Sequence, residues 1–229
     1  MKWMILLALI PLSRILFYAA LWLGHRKKNM EDECGINIAR QMLTRLGLQD
    51  KVNVALEGND DCYDPSKNSI SLSEKNNRKT VASVAIAIHE VGHALQMNAG
   101  WRLYQLRCKI IILKGPLIYI TAVLVLCGFA YKVCNILTII SLICLIICTV
   151  VELIVEINAS VRGCELFEKY FKTDRSEMRK IRLFLSMAAL TYFADIINCI
   201  YMVGILLFRM LQGEKVNEEN RNAVGLYKM

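Results

Sequence analysis

The apolar residues of this chain come in blocks, and nothing else in the sequence limits its fold as much. Residues 3–23, 115–131, 134–155 and 183–208 are each dominated by Leu, Ile, Val, Ala, Phe and Met. A helix needs about 20 mostly apolar residues to cross the hydrocarbon core of a bilayer, within a range of roughly 17–25. A 229-residue chain with 55% hydrophobic content could fill a soluble core, but such a core draws on periodic stripes rather than on blocks. The expectation is a mainly α fold: a polytopic membrane helical bundle of about four spans, with a small α+β unit beside it.

The formal net charge of +8 supports the same reading. Basic residues gather next to the apolar blocks, as the positive-inside rule requires, and are not interleaved with aromatics as a nucleic-acid surface would have them. Arg26, Lys27 and Lys28 follow the first block; Arg102, Arg107 and Lys109 precede the second; Arg162, Lys169, Arg175, Arg179 and others lie between the third and fourth. The turn between blocks two and three carries only Lys132. The polar segments 24–109 and 158–182 are therefore expected in the cytoplasm, and no nucleic-acid partner is expected. The chain divides into an N-terminal anchor (1–24), a cytoplasmic unit (25–109), a transmembrane hairpin (110–157), a helical connection (158–182), a last membrane helix (183–212) and a polar tail (213–229). The first block lacks a small-x-small cleavage site, which favours an uncleaved anchor over a signal peptide. Arg14 falls near its middle, where a charge is expected to snorkel or to meet a protein partner. The nine cysteines are an odd, scattered set without CxxC spacing, so neither a disulfide framework nor a thiolate metal site is expected.

Within 25–109, apolar residues recur at spacings of three and four from Ile36 to Leu46, which predicts an amphipathic helix over 35–47. Residues 52–56 and 69–73 alternate like short strands, with turn-rich sequence from Gly58 to Asp64 between them. Residues 80–98 predict a further helix, with Thr80 as N-cap and Gly100 just past the end.

That helix carries His89-Glu90-Val91-Gly92-His93. Two histidines four apart share a helix face, with Cβ atoms roughly 5–6 Å apart, and can converge on one zinc ion. Glu90 is placed to reach a water on the ion rather than the ion itself, as the general base of a metallopeptidase. The chain has only three histidines, and two fall in this pattern within an apolar run. Buried imidazoles next to a carboxylate are costly without a partner. Position 99, where a longer zinc motif would place a third histidine, is Ala99, and His25 has no accompanying motif. A carboxylate is expected instead. Glu152 and Glu156 both stand at the end of the third block that the hairpin returns to the side of His89 and His93, and topology leaves the choice between them open.

Further stretches accompany the motif: Tyr63-Asp64-Pro65 followed by Ile70-Ser71-Leu72-Ser73, the run Ala87 to Ala94, Val155-Glu156-Ile157-Asn158-Ala159-Ser160, and Ala188-Ala189-Leu190-Thr191-Tyr192. With them the chain resembles the YugP-like family of bacterial membrane zinc-dependent peptidases, which look like relatives of the HtpX and prenyl-protein peptidases. The resemblance implies a zincin-like cytoplasmic unit, one Zn²⁺ per chain, and Glu156 as third ligand. Glutamate-zincins usually carry Asp four residues after that Glu; here the residue is Ser160, so Asn158 or Ser160 is expected to orient Glu156. The fold it implies would make the strand around Ile70 an exposed edge that holds substrate backbone. Tyr192 is a candidate donor to the reacting carbonyl. The expected function is a zinc metalloendopeptidase acting on protein or peptide substrates in or near the bilayer, at the cytoplasmic face of a bacterial cell membrane. Two alternatives stand beside it: an intramembrane protease with Asp195 as third ligand, and a non-catalytic scaffold that retains a metal site.

Overall fold

A computed structural model describes residues 9–28, 32–127, 132–171 and 173–226. The start of the expected anchor (1–8), most of the turn between blocks two and three (128–131) and the end of the tail (227–229) lie outside the described residues. In chain order the elements are α1 (Leu9–His25), α2 (Gly35–Arg45), β1 (Asn53–Leu56), β2 (Cys62–Asp64), β3 (Ser69–Leu72), α3 (Val81–Asn98), α4 (Arg102–Cys127), α5 (Lys132–Tyr170) and α6 (Arg175–Leu226).

Among the described residues three helices are long and apolar enough to cross a membrane: Arg102–Val125 in α4, Val133–Tyr170 in α5 and Arg175–Phe208 in α6. The first apolar block, expected as a further span, is described only from Leu9, as the 17-residue α1. α4 and α5 follow one another in the chain and pack together. Their outer faces are bare, with Ile112, Leu113, Tyr119, Val123 and Val133 each more than half exposed, as side chains facing lipid would be. The 39 residues of α5 run far past the roughly 20 that a bilayer holds. The polar stretch 158–182 is thus no separate element. It is the far end of α5, a short break, and the start of α6.

α3 is the centre of the molecule. It begins where Thr80, in extended backbone, accepts a hydrogen bond on its hydroxyl from the Ser83 N–H at 3.4 Å. It ends in a paired closure: Gly100 N–H donates to the Met97 carbonyl at 2.9 Å and Trp101 N–H to the Gln96 carbonyl at 3.1 Å. This closure needs a left-handed residue after the cap, and Gly100 supplies it at φ 64°. α2 packs on one side of α3 through Ile36, Ala39, Met42 and Leu43, and the sheet contributes Val54, Tyr63, Ile70 and Leu72 to the same core.

The sheet corrects one expectation. Its order is β1-β3-β2, with β1 parallel to β3 and β2 antiparallel to it. Ile70 is paired with Val54 on one side and Tyr63 on the other, and its side chain is fully buried. β3 therefore has no free edge with which to hold substrate. The stretch from Gly58 to Asp64 reads as turn, yet its last three residues are β2, one of the two edge strands. The turn that returns β2 to β3 is held by Asp64, whose carboxylate accepts from the Ser66 N–H at 2.8 Å and its hydroxyl at 2.6 Å.

α5 crosses α3 at backbone contact. A Cβ on Gly92 would fall closer than 3.0 Å to the Ala159 carbonyl oxygen, and one on Gly163 equally close to the Ile88 carbonyl oxygen. Glycines on both helices let the two backbones meet, as small residues do wherever helices approach closely. This accounts for Gly92 inside the motif, where it costs helix stability relative to Ala. The close crossing is also what brings α5 side chains within reach of His89 and His93.

Candidate metal centre

His89 and His93 leave α3 on one face, and Glu156 meets them from α5. His89 Nε2 lies 3.0 Å from Glu156 Oε2, His93 Nε2 lies 3.4 Å from the same oxygen, and the two Nε2 atoms are 3.2 Å apart. Three ligands on a tetrahedral zinc at about 2.0–2.1 Å stand roughly 3.3 Å from one another. The observed triangle has that size. Among the described residues this is the one group of three His, Cys, Asp or Glu whose ligand atoms could hold a metal ion.

The hydrogen bonds behind the triangle fix which nitrogens point into it. His93 Nδ1 is 3.0 Å from Gln96 Oε1. Gln96 is fully buried, and its amide nitrogen donates to the Val155 carbonyl at 2.9 Å and Asn158 Oδ1 at 3.0 Å. Its oxygen can only accept, so the His93 proton sits on Nδ1 and Nε2 keeps a lone pair. His89 Nδ1 is 3.0 Å from the Ser160 hydroxyl, whose own proton goes to the Glu156 main-chain carbonyl at 3.0 Å. His89 Nδ1 therefore donates as well, and its Nε2 is free to bind. Burial opposes a charge on His89, but the hydrogen bond and charge of Glu156, with the charge of Glu90, outweigh it and raise the imidazole pKa. A metal ion held by the triangle would supply that positive charge instead.

Glu156 is divided between two tasks. Oε2 faces the histidines, while Oε1 accepts from Arg107 Nη2 of α4 at 2.5 Å. Arg107 thus leaves one oxygen for an ion. Its sequence position shows only a basic residue ahead of a span. Asn158 and Ser160 take part, but on the histidines rather than on the Glu156 carboxylate: Ser160 bonds His89, and Asn158 acts on His93 through Gln96. Gln96 was hidden as well, although a Gln three residues after a motif His in an apolar helix is a signal that could have found it.

The other candidates stand apart. Glu152, one turn earlier on α5, is paired with Lys114 at 2.5 Å. Asp195 is paired with Arg14 at 3.2 Å and lies outside the cluster, which removes it as third ligand. The same bond gives Arg14 the protein partner expected of it. His25 is bound to the Thr80 hydroxyl at 3.0 Å and Asn76 Oδ1 at 3.1 Å, helping to hold the start of α3.

The cluster opens on a cavity of about 490 Å³. His89, Glu90, His93 and Glu156 line it, with Tyr63 of β2 on one side and Tyr192 of α6 on another. Glu90 is 7% exposed. Among the described residues no cation or hydrogen-bond donor engages its carboxylate, so it is available to a molecule in the cavity. Ile70 is not part of the lining.

The His–His–Glu triangle, with the Glu90 carboxylate beside it, is buried, opens on a cavity and has ligand atoms close enough to hold a metal ion. Comparison with known proteins gives the class. The chain belongs to the family described as "Putative neutral zinc metallopeptidase", whose profile matches residues 4–211. It is similar to the protein named "Putative membrane protease YugP" of Bacillus subtilis (strain 168), with 29% identity over 187 residues, covering 80% of this chain and 83% of that one. No solved structure matches it.

Proposed function

We propose that this chain is a membrane-bound zinc metalloendopeptidase of the glutamate-zincin type, with His89, His93 and Glu156 holding one Zn²⁺ and Glu90 acting as general base. The observation that carries the reading is the triangle of His89 Nε2, His93 Nε2 and Glu156 Oε2, with both histidines protonated on Nδ1 by their bonds to Ser160 and Gln96. Zinc, when bound, supplies the Lewis acidity that activates water near neutral pH and polarises the scissile carbonyl. Glu90 takes a proton from the attacking water and returns it to the leaving amine. Arg107 holds Glu156 so that one oxygen is presented. Gly92 seats the helix against α5 and keeps the three ligands in register.

β2, the edge strand beside α3, takes the substrate-holding role first expected of β3: Cys62 and Tyr63 border the cavity, and the outer side of β2 has no strand partner among the described residues. The site is at the cytoplasmic face of a bacterial cell membrane, because the basic residues flank the apolar blocks on the side of α3. Its substrates are membrane proteins or peptides held close to the bilayer. The test is cleavage of an unfolded protein by purified wild type and Glu90→Gln, with and without a chelator. The wild type cleaves only without chelator. Glu90→Gln keeps its zinc and loses cleavage by about a hundredfold or more. A Glu90→Gln protein that cleaves at the wild-type rate would overturn the proposal.

A further inference from the structure

The cavity over the metal centre has two unlike walls. One is formed by the loop that leads into β2 and by the residues before α3, and it presents Asn59, Asp60, Asp61, Lys75 and Asn76. The other is formed by α1 and α6, and it presents Phe17, Leu21, Phe184, Leu185, Ala188 and Ala189.

The first wall carries two carboxylates, Asp60 and Asp61, against the one ammonium of Lys75, so it is net acidic in a chain of net charge +8. Asp61 is held in place by the Ser73 N–H at 2.7 Å and the Ser73 hydroxyl at 3.0 Å, together with the Asn76 amide. These are neutral partners, which fix the carboxylate without cancelling its charge. Among the described residues neither Asp60 nor Asp61 forms an ion pair. Their field is felt at Cys62, whose thiol pKa is raised first by burial and then by the charges of Glu90, Asp64, Asp60 and Asp61. The second wall is apolar, and its α6 part belongs to a helix able to cross a membrane. Phe17 and Phe184 face each other with ring centroids 5.9 Å apart. Ala188 and Ala189 leave room where larger side chains would close the space. Arg14, at the rim of this wall, is already paired with Asp195.

We infer that the substrate is a polypeptide in which an apolar stretch passes within a few residues into Lys and Arg, the cytoplasmic end of a membrane-embedded segment. The apolar part lodges between α1 and α6, the basic part lies along Asp60 and Asp61, and the bond between them lies over His89, His93 and Glu90. This rests on the peptidase reading above. Its basis is complementarity at both ends: a basic flank is what marks the cytoplasmic side of a span, and an apolar stretch leaving lipid reaches the site along an apolar wall. A uniformly polar peptide meets the wrong chemistry on one wall, and an acidic flank is repelled by the other.

The test uses the full chain in detergent micelles, as zinc-loaded Glu90→Gln, with four labelled peptides of equal length: apolar–basic, apolar–acidic, polar–basic and polar–acidic. Affinities for each added variant are compared with each peptide's own value on the Glu90→Gln protein, which removes the effect of micelle partitioning. The apolar–basic peptide binds tightest. Adding Asp60→Lys weakens it by about fivefold and strengthens the apolar–acidic peptide. Adding Ala188→Trp weakens both apolar peptides by about tenfold or more and leaves polar–basic unchanged. Ala189→Phe, with the zinc content checked, repeats the test should the Trp variant fold poorly. Equal binding of all four peptides, or variants that shift all four alike, would overturn the inference. Chelator-sensitive cleavage of an unfolded protein with no ranking among the peptides leaves the peptidase reading intact and removes only this one. The expected ranking in a protein that hydrolyses nothing does the reverse.

Discussion

The two halves of α5 obey different rules. From Val133 to about Glu152 the helix pairs with α4, and Ile136, Ile140, Ile143 and Ile147 turn outward, each more than two fifths exposed. From Val155 to Phe167 the same helix lies against α3 with its backbone in contact, and every polar side chain that meets the motif has a named partner. In the first half apolar character suffices, because lipid accepts any shape. In the second half identity matters at each position, because a carbonyl oxygen or an imidazole stands within contact distance. Glu152 and Glu156 mark the boundary. They are one turn apart on one helix, yet Glu152 pairs with a lysine while Glu156 joins His89 and His93 in the cluster proposed to hold zinc.

The largest effect should come from breaking the contact itself. Gly92→Val drives a branched side chain into the Ala159 carbonyl, so the helices must separate. We expect a stability loss of about 3 kcal/mol or more, read from thermal unfolding, together with loss of bound zinc. The two glutamates come next. Glu156→Gln should abolish stoichiometric zinc binding by the purified protein, whereas Glu152→Gln should retain one ion per chain and lose stability only. Zinc that persists in Glu156→Gln would place the boundary elsewhere. Arg107→Gln should weaken zinc affinity by about 10- to 100-fold in a competition assay, because the second oxygen of Glu156 is then unrestrained. Gln96→Leu or Ser160→Ala should weaken it by about tenfold, through a histidine free to turn or change tautomer. Smallest of all is Ile143→Leu on the lipid side, expected to change stability by less than about 0.5 kcal/mol and zinc affinity not at all.

Much of this contrast was legible in the sequence. The apolar blocks pointed to the long helices α4, α5 and α6, and the Thr80 cap, the HEVGH spacing and Gly100 pointed to α3 within a residue at each end. Those signals are local, a matter of periodicity and capping over a few turns. What escaped is set by distant partners. β2 is three residues in a stretch rich in Asp, Asn and Gly, and only its pairing with β3 makes it a strand. That pairing also turned β3 from an edge into the centre of the sheet. Arg107 lies 49 residues from Glu156, and Arg14 lies 181 from Asp195. In sequence each looks like a charge to be explained by the bilayer alone. Glu156 could be told from Glu152 only by resemblance, since both end the same helix on the same side and the phase of α5 against α3 depends on Gly92 and Gly163 meeting carbonyls across the crossing.

The proposed site holds zinc on two imidazole nitrogens and one carboxylate oxygen. X-ray absorption spectroscopy of the zinc-loaded protein tests it most directly. The expected spectrum shows two nitrogen ligands and one carboxylate oxygen at about 2.0–2.1 Å with a fourth light-atom ligand from solvent. A sulfur shell at about 2.3 Å, drawn from any of the nine cysteines, or a site that keeps the same spectrum in Glu156→Gln, would contradict it.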